Sequence, residues 1–245
     1  MNPAPSLHEV AANLYRGCGR FPFHFARSKL KYDPIMTDLL TLGCLSRKDA
    51  SAARLLDLGC GQGLLFAMLD ASARMAQQSQ APVSWPAARP IAFAKGFDAA
   101  PADVRRGHAM LVNRAQPHLV AEIVVADVRT VDLPACDIVV AIDLLHYMPY
   151  ADQEDLLRKI AAALAPGGRL VLRVGDAAQS RASRVSCWVD RAVAATRGQG
   201  WPALWRRPMC EWHRLLQQSG FAATAVKTYR SRWAVDVLVC GDKPD

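Results

Sequence analysis

Short apolar runs rich in β-forming residues alternate along the chain with longer stretches whose apolar positions recur at helical spacing. The runs ARLLDLG (53–59), IAFAKGFD (91–98), LVAEIVVAD (119–127), CDIVVAIDLL (136–145) and GRLVLRVGD (168–176) read as strands. Between them, GLLFAMLDASARM (63–75), PADVRRGHAMLVNRA (101–115) and DQEDLLRKIAAALA (152–165) read as helices, the last with acids in its first turn. Strands separated by helices predict parallel βαβ units with right-handed crossovers, hence an open doubly wound α/β sheet. The end of the chain departs from this rhythm. A helix over 210–220, closed by Gly220, is followed by FAATAVKTYR and RWAVDVLVCGD with almost no connection, which predicts an antiparallel hairpin at the end of the sheet.

Ahead of the sheet, Ser6 stands three residues before Glu9, the capping-box spacing, and predicts a helix over 7–16. A second helix is expected over 34–44. The segment between them, RFPFHFARSKLKYDP, mixes Phe21, Phe23, Phe25 and Tyr32 with Arg20, Arg27, Lys29 and Lys31, and is assigned no element. The expected organisation is an N-terminal helical cap over 1–50 and a sheet domain over 51–245. That domain carries a proline-rich insertion near 74–90 and a cap insertion near 178–208, which holds Trp188, Trp201 and Trp205.

With 245 residues the chain has room for one larger domain, and 51% hydrophobic with 21% charged residues is the composition of a folded protein. No apolar run reaches the roughly 18 residues needed to span a bilayer, and the first residues do not resemble a secretory signal, so the expected location is the cytoplasm. The seven cysteines are odd in number and scattered without a C-x-x-C pair, so neither zinc nor a disulfide framework is expected. The net charge is +8. From Arg169 to Arg232 eleven Arg and one Lys stand against Asp176, Asp190 and Glu211, a local surplus of +9 that suits an acidic partner or a solvated basic surface.

The densest signal is LLDLGCGQG, in which Gly59, Gly61 and Gly63 follow a strand directly. Glycines there permit positive φ and a close approach of backbone to ligand, at the strand ends where open α/β sheets bind. A phosphate-binding Walker loop needs Gly-Lys-Ser/Thr, which is missing, and a dinucleotide fingerprint needs a glycine where Leu64 stands.

LLDLGCGQG resembles the first motif of class I S-adenosylmethionine-dependent methyltransferases, an acidic residue followed by x-G-x-G-x-G. Further landmarks follow in order over roughly 50–242: GFDAAP, VVADVRTVDLP, AIDLLHYMPY, LAPGGRLVL and the closing hairpin. The resemblance implies a Rossmann-like, seven-stranded, mostly parallel sheet and S-adenosyl-L-methionine as cofactor. It also implies a cofactor-binding set of Asp57, Gly59, Cys60, Gly61, Gly63, Asp98, Ala99, Asp127, Val128 and Ile142. Asp57 would orient the amino group or the loop, Asp98 the ribose hydroxyls, and Asp127 with Val128 the adenine. Cys60 lies inside the motif and is expected to pack rather than react.

His146, after the fourth strand, is the first choice for a general base, because its unperturbed pKa of about 6.5 suits proton removal near neutrality. Asp143 and Tyr147 are the alternates. The stretch DLLHYM lacks the Asn/Asp-Pro-Pro-Tyr/Phe of amino-methylating nucleic-acid enzymes, and no Pro-Cys nucleophile stands there, so a small-molecule acceptor is favoured and nucleic acid disfavoured. The segment FHFARSKLKYDP resembles that of bacterial methyltransferases of aryl-polyene-type pathways, which implies a phenolic, aryl or acyl-carrier-linked acceptor. Still open are an RNA or protein methyltransferase, a non-catalytic cofactor-binding subunit, a nicotinamide dehydrogenase, and a peripheral membrane contact through the basic aromatic N-terminal segment.

Overall fold

A computed structural model describes residues 6–45, 52–78, 91–114, 119–178, 203–230 and 235–244. The chain divides into two compact units, residues 1–125 and 126–245. Its strands form the expected seven-stranded sheet, in the order β3-β2-β1-β4-β5-β7-β6.

In the first unit, the strands β1 (Ala53–Leu58), β2 (Ile91–Asp98) and β3 (Ala121–Val125) are parallel, with Leu58 opposite Phe97 and Asp98 opposite Val125. The crossovers are α4 (Leu64–Gln77) and α5 (Pro101–Val112). α4 is apolar around most of its circumference and is buried to match, from Leu64 through Ser72. Its one interior carboxylate, Asp70, is paired with Arg114 at 3.2 Å. Losing one partner of so buried a pair typically costs about 3–5 kcal/mol.

Three helices precede the strands: α1 (Leu7–Asn13), α2 (Arg20–Tyr32) and α3 (Ile35–Thr41). The Ser6–Glu9 capping box forms as the spacing predicts. α1 is shorter than expected, because Leu14 to Gly17 turn away and carry Tyr15 into the interior. The helix α2 was not expected. Its inward positions Pro22, Ala26 and Leu30 lie four apart, one face of a helix, but stand among aromatic and basic residues that obscure the period.

In the second unit, β4 (Cys136–Ile142) runs parallel to β5 (Leu164–Gly175). β5 pairs antiparallel with β7 (Val235–Asp242), which pairs antiparallel with β6 (Ala222–Arg230). This is the C-terminal hairpin that the sequence predicts. β4 is followed by a single 3-10 turn, Leu145–Tyr147, and then by α6 (Tyr150–Ala163), which starts two residues before the predicted helix. The helix α7 (Met209–Gln218) buries Trp212, Leu215 and Leu216. Most of the proline-rich insertion and most of the cap insertion, with Trp188 and Trp201, lie outside the described residues.

Candidate functional site

Within the first unit, β1 delivers Asp57 to the start of the turn, and the three glycines then take φ values of +75° at Gly59, +55° at Gly61 and +81° at Gly63. Those values lie in the left-handed region, where a Cβ is strained, so the turn needs the spacing that the sequence displays. At Gly63 space adds to the demand, since a Cβ would come within 2.8 Å of the Ile123 side chain. At Gly61 a Cβ would meet nothing within 4 Å, so the turn leaves open room there.

The end of β2 holds this turn through backbone and side chain together. The amides of Gly59 and Cys60 both donate to the Phe97 carbonyl, at 2.8 and 3.1 Å. Asp98 accepts from the Gly61 amide at 2.7 Å through one carboxylate oxygen and from the Ala100 amide at 2.8 Å through the other. Asp57, Gly59, Cys60, Gly61, Gly63 and Asp98 are thus brought together, with Ala99 exposed beside them.

Asp57 is buried and accepts no side-chain hydrogen bond or ion pair among the described residues. Burial, reinforced by the charge of Asp98, pushes its carboxyl up to about 7. The Cys60 thiol is pushed well up by burial and by the same two carboxylates. Its sulfur packs on β2 so closely that a Cβ at Gly96 would lie 2.7 Å from it. Cys60 is therefore a packed, protonated side chain, and Gly96 is the glycine that its bulk requires.

Two further residues brace the turn. The buried Tyr15 hydroxyl donates to the Gln62 carbonyl at 2.8 Å, and the Gln62 side chain donates to the Pro22 carbonyl at 3.1 Å. The preceding segment is tied to α5 as well, because the Asn113 side chain donates to the carbonyls of Leu14 and Arg16.

In the second unit, Asp127 caps its own loop. It accepts from the Arg129 amide at 2.9 Å, and the Arg129 guanidinium grips both carboxylate oxygens, which holds the carboxyl below its ordinary range. The ammonium of Lys159 gathers the carbonyls of Val128, Arg129 and Val131, and Val128 itself is buried. The candidate adenine-end residues thus belong to a loop already fixed by its own side chains.

Ile142 ends β4, and Asp143 follows at a φ of +56°, the one described residue other than glycine in the left-handed region. Arg173 of β5, itself buried, holds the Asp143 carboxylate bidentately. The 3-10 turn then presents His146, whose ring lies 4.2 Å from that of Tyr147, centroid to centroid. The His146 carbonyl accepts from the Trp205 amide at 2.8 Å. Beneath it, the buried Gln153 side chain donates to the carbonyls of Leu145, Met148 and Trp205 and accepts from Arg207. Nothing in the sequence pattern singles out Arg173 or Arg207. Gln153 alone left a signal, as a polar residue on the stripe that continues through Leu156, Leu157 and Ile160.

Among the described residues no His, Cys, Asp and Glu cluster is arranged to hold a metal ion, and no helix is long and apolar enough to cross a membrane. A family model described as a methyltransferase domain matches residues 27–226. The carboxy-S-adenosyl-L-methionine synthase of Psychrobacter arcticus is 36% identical over 78 residues, 32% of this chain and 29% of that protein. The enzyme of the same name from Geobacter sp. strain M21 is 28% identical over 153 residues, 62% of this chain and 56% of that one. The chain thus spans between about a third and just over half of the length of these curated relatives. Among solved structures, magnesium protoporphyrin IX methyltransferase from Synechocystis PCC 6803 with bound SAM superposes with a TM-score of 0.57 at 14% identity, covering 99% of this chain and all of that one. Human N-acetylserotonin methyltransferase in complex with SAM gives 0.55 at 17% identity, covering 98% of this chain and 61% of that one. At these identities the likeness is one of fold.

Proposed function

The chain belongs to the methyltransferase-domain family, and from that premise we propose that it transfers a methyl group from S-adenosyl-L-methionine to a small-molecule acceptor. The observation that carries this reading is the turn around Gly61, which has open space at its middle glycine and a buried Asp57 carboxyl that has no hydrogen-bond donor among the described residues. A carboxyl in that environment is relieved by a ligand ammonium, and an amino-acid ligand brings one. These residues therefore fit the cofactor. Asp57 would hold its amino group and the backbone of Gly59 to Gly63 its amino-acid part. Asp98 and Ala99 would meet the ribose, Asp127 and Val128 the adenine, and Ile142 would form an apolar wall. When bound, the group supplies an activated methyl on a sulfonium.

His146 is the base that would take a proton from the acceptor, with its turn fixed by Gln153 and by Trp205. A phenolic, aryl or acyl-carrier-linked acceptor suits a histidine base, since a phenol must lose its proton to become a good nucleophile. The curated relatives favour a second reading, in which the cofactor is itself the molecule modified and a carboxylated S-adenosylmethionine is the product.

One experiment separates these readings. Labelled methyl from S-adenosylmethionine is followed into protein, nucleic-acid, lipid and small-molecule fractions of an extract, with Gly61→Arg as the control that cannot bind. Label in small molecules, or in a carrier band that releases it on thioester cleavage, supports methyl transfer as proposed. Label in RNA or protein overturns the acceptor class. A heavier, carboxylated cofactor in the nucleoside pool, found by mass spectrometry, supports the second reading. Intact cofactor binding with no product of either kind leaves a binding subunit.

A further inference from the structure

The helix α2 has two unlike faces: the inward one helps to brace the glycine turn through Pro22, and the reaction proposed above has no part for the outward one. Pro22, Ala26 and Leu30 face inward and are buried. At roughly 100° per residue, Arg20, His24, Arg27 and Lys31 fall within roughly 60° of one another, on a ridge centred roughly 130° around from the buried positions. All four are exposed. Phe21 and Tyr32 lie roughly 90° around from that ridge, nearly in line with each other. They are 48% and 74% exposed, among the most exposed large hydrophobic side chains of the described residues.

The helix contains four Lys or Arg and no acid. Lys29 is turned aside into an ion pair with Asp33. Among the described residues, Arg20, Arg27 and Lys31 have no carboxylate within ion-pair distance, although Glu9 of α1 lies near enough to feel the charge of Arg27. The shoulder is extended by Arg106 of α5, stacked over Phe21 at 4.7 Å, and Lys31 lies over the ring of Tyr32 at 5.2 Å.

We propose that this outward face of α2 docks on an anionic lipid surface, with Arg20, Arg27 and Lys31 against the headgroups and Phe21 and Tyr32 at the interfacial level. The three cations are strung along about 16 Å of helix, with gaps of roughly 10 and 6 Å, and do not converge, as they would around a single phosphate or carboxylate. An amphipathic ring such as that of Tyr32 settles at headgroup depth, an apolar one such as that of Phe21 enters the interface beside it, and cations on such a face add attraction to anionic lipid. The docking is independent of which reaction the glycine turn supports.

The test measures sedimentation of the full-length protein with phosphatidylcholine vesicles, with and without phosphatidylglycerol. Binding is expected with phosphatidylglycerol only, and it should weaken as salt is raised. Combined Arg20→Glu, Arg27→Glu and Lys31→Glu should lower the partition coefficient on the order of a hundredfold or more. Lys31→Glu alone, at an exposed helix end, should lower it about fivefold or more and serves if the triple variant does not fold. Tyr32→Ser should weaken binding several-fold at unchanged salt sensitivity, and Arg158→Glu, an exposed change on α6, should leave it unchanged. No binding to anionic vesicles overturns the proposal. So does equal loss with Arg158→Glu, or capture of this face by polyuridylate RNA while vesicles fail to bind.

Discussion

The Tyr15 hydroxyl donates to the Gln62 carbonyl at 2.8 Å, across 47 positions of sequence, and so bolts the segment after the first helix to the middle of the glycine turn. Burial pushes the Tyr15 hydroxyl well above its ordinary range, so it remains a donor at any working pH. Tyr15→Phe keeps the ring and removes the donor. The expected result is a loss of about 1–3 kcal/mol in unfolding free energy and weaker binding of S-adenosylhomocysteine, with less effect on turnover at saturating cofactor. Denaturant unfolding and calorimetric titration check both. Unchanged affinity would make Tyr15 a packing residue only.

Asp57 makes the turn sensitive to pH. Its carboxyl is raised from an ordinary 3.8 to about 7, so between those values the folded chain binds a proton that the unfolded chain has released. Unfolding free energy should therefore fall as pH rises from about 4 through about 7 and then level off, by up to a few kcal/mol. A ligand ammonium favours the ionised form, so affinity for S-adenosylhomocysteine should rise over the same window with release of a proton. Asp57→Asn should flatten the stability slope and remove the proton release. Calorimetry in buffers of different ionisation enthalpy reads that proton directly.

Cys60 packs, as its place inside the motif leads one to expect, and its packing makes it inert. Its thiol is pushed well up, first by burial and then by the charges of Asp57 and Asp98, while Cys210 is exposed. Alkylation at neutral pH followed by peptide mapping should label Cys210 promptly and Cys60 only after unfolding. Gly96→Ala should destabilise the fold by about 1–3 kcal/mol, because its Cβ would meet the Cys60 sulfur at 2.7 Å. Cys60→Ala in the same chain should recover part of that loss. Full additivity of the two changes would place the strain elsewhere.

These contacts also mark where a sequence stops being legible. Strand periods, the glycine spacing and the Asp98 position are local patterns set by backbone geometry, and the structure follows them. The bracing residues are not local: Gln62 meets Tyr15 and Pro22 from 47 and 40 positions away, and Arg173 meets Asp143 from 30. Nothing at either position announces its partner. The helix α2 was missed for a different reason. Its burial rests on Pro22, Ala26 and Leu30, while its larger apolar side chains include the exposed Phe21 and Tyr32, so residue type and burial disagree along its length.

Gln153 joins the His146 turn to the segment that carries Trp205. Its amide nitrogen serves the carbonyls of Leu145, Met148 and Trp205, and its oxygen takes the buried Arg207, which is also held by Glu154. Gln153→Leu fills the space but leaves three carbonyls and a guanidinium N–H without that partner. A loss of about 3 kcal/mol or more is expected, or roughly 6–12 °C in melting temperature for a chain of this size. Gln153→Glu keeps the acceptor for Arg207 and forfeits the donors, so it should recover stability in part without restoring turnover. If Gln153 positions His146, kcat falls in both variants while affinity for S-adenosylhomocysteine, set at the glycine turn, stays near that of the parent. Equal losses in kcat and affinity would instead mean that the variants loosen the fold as a whole.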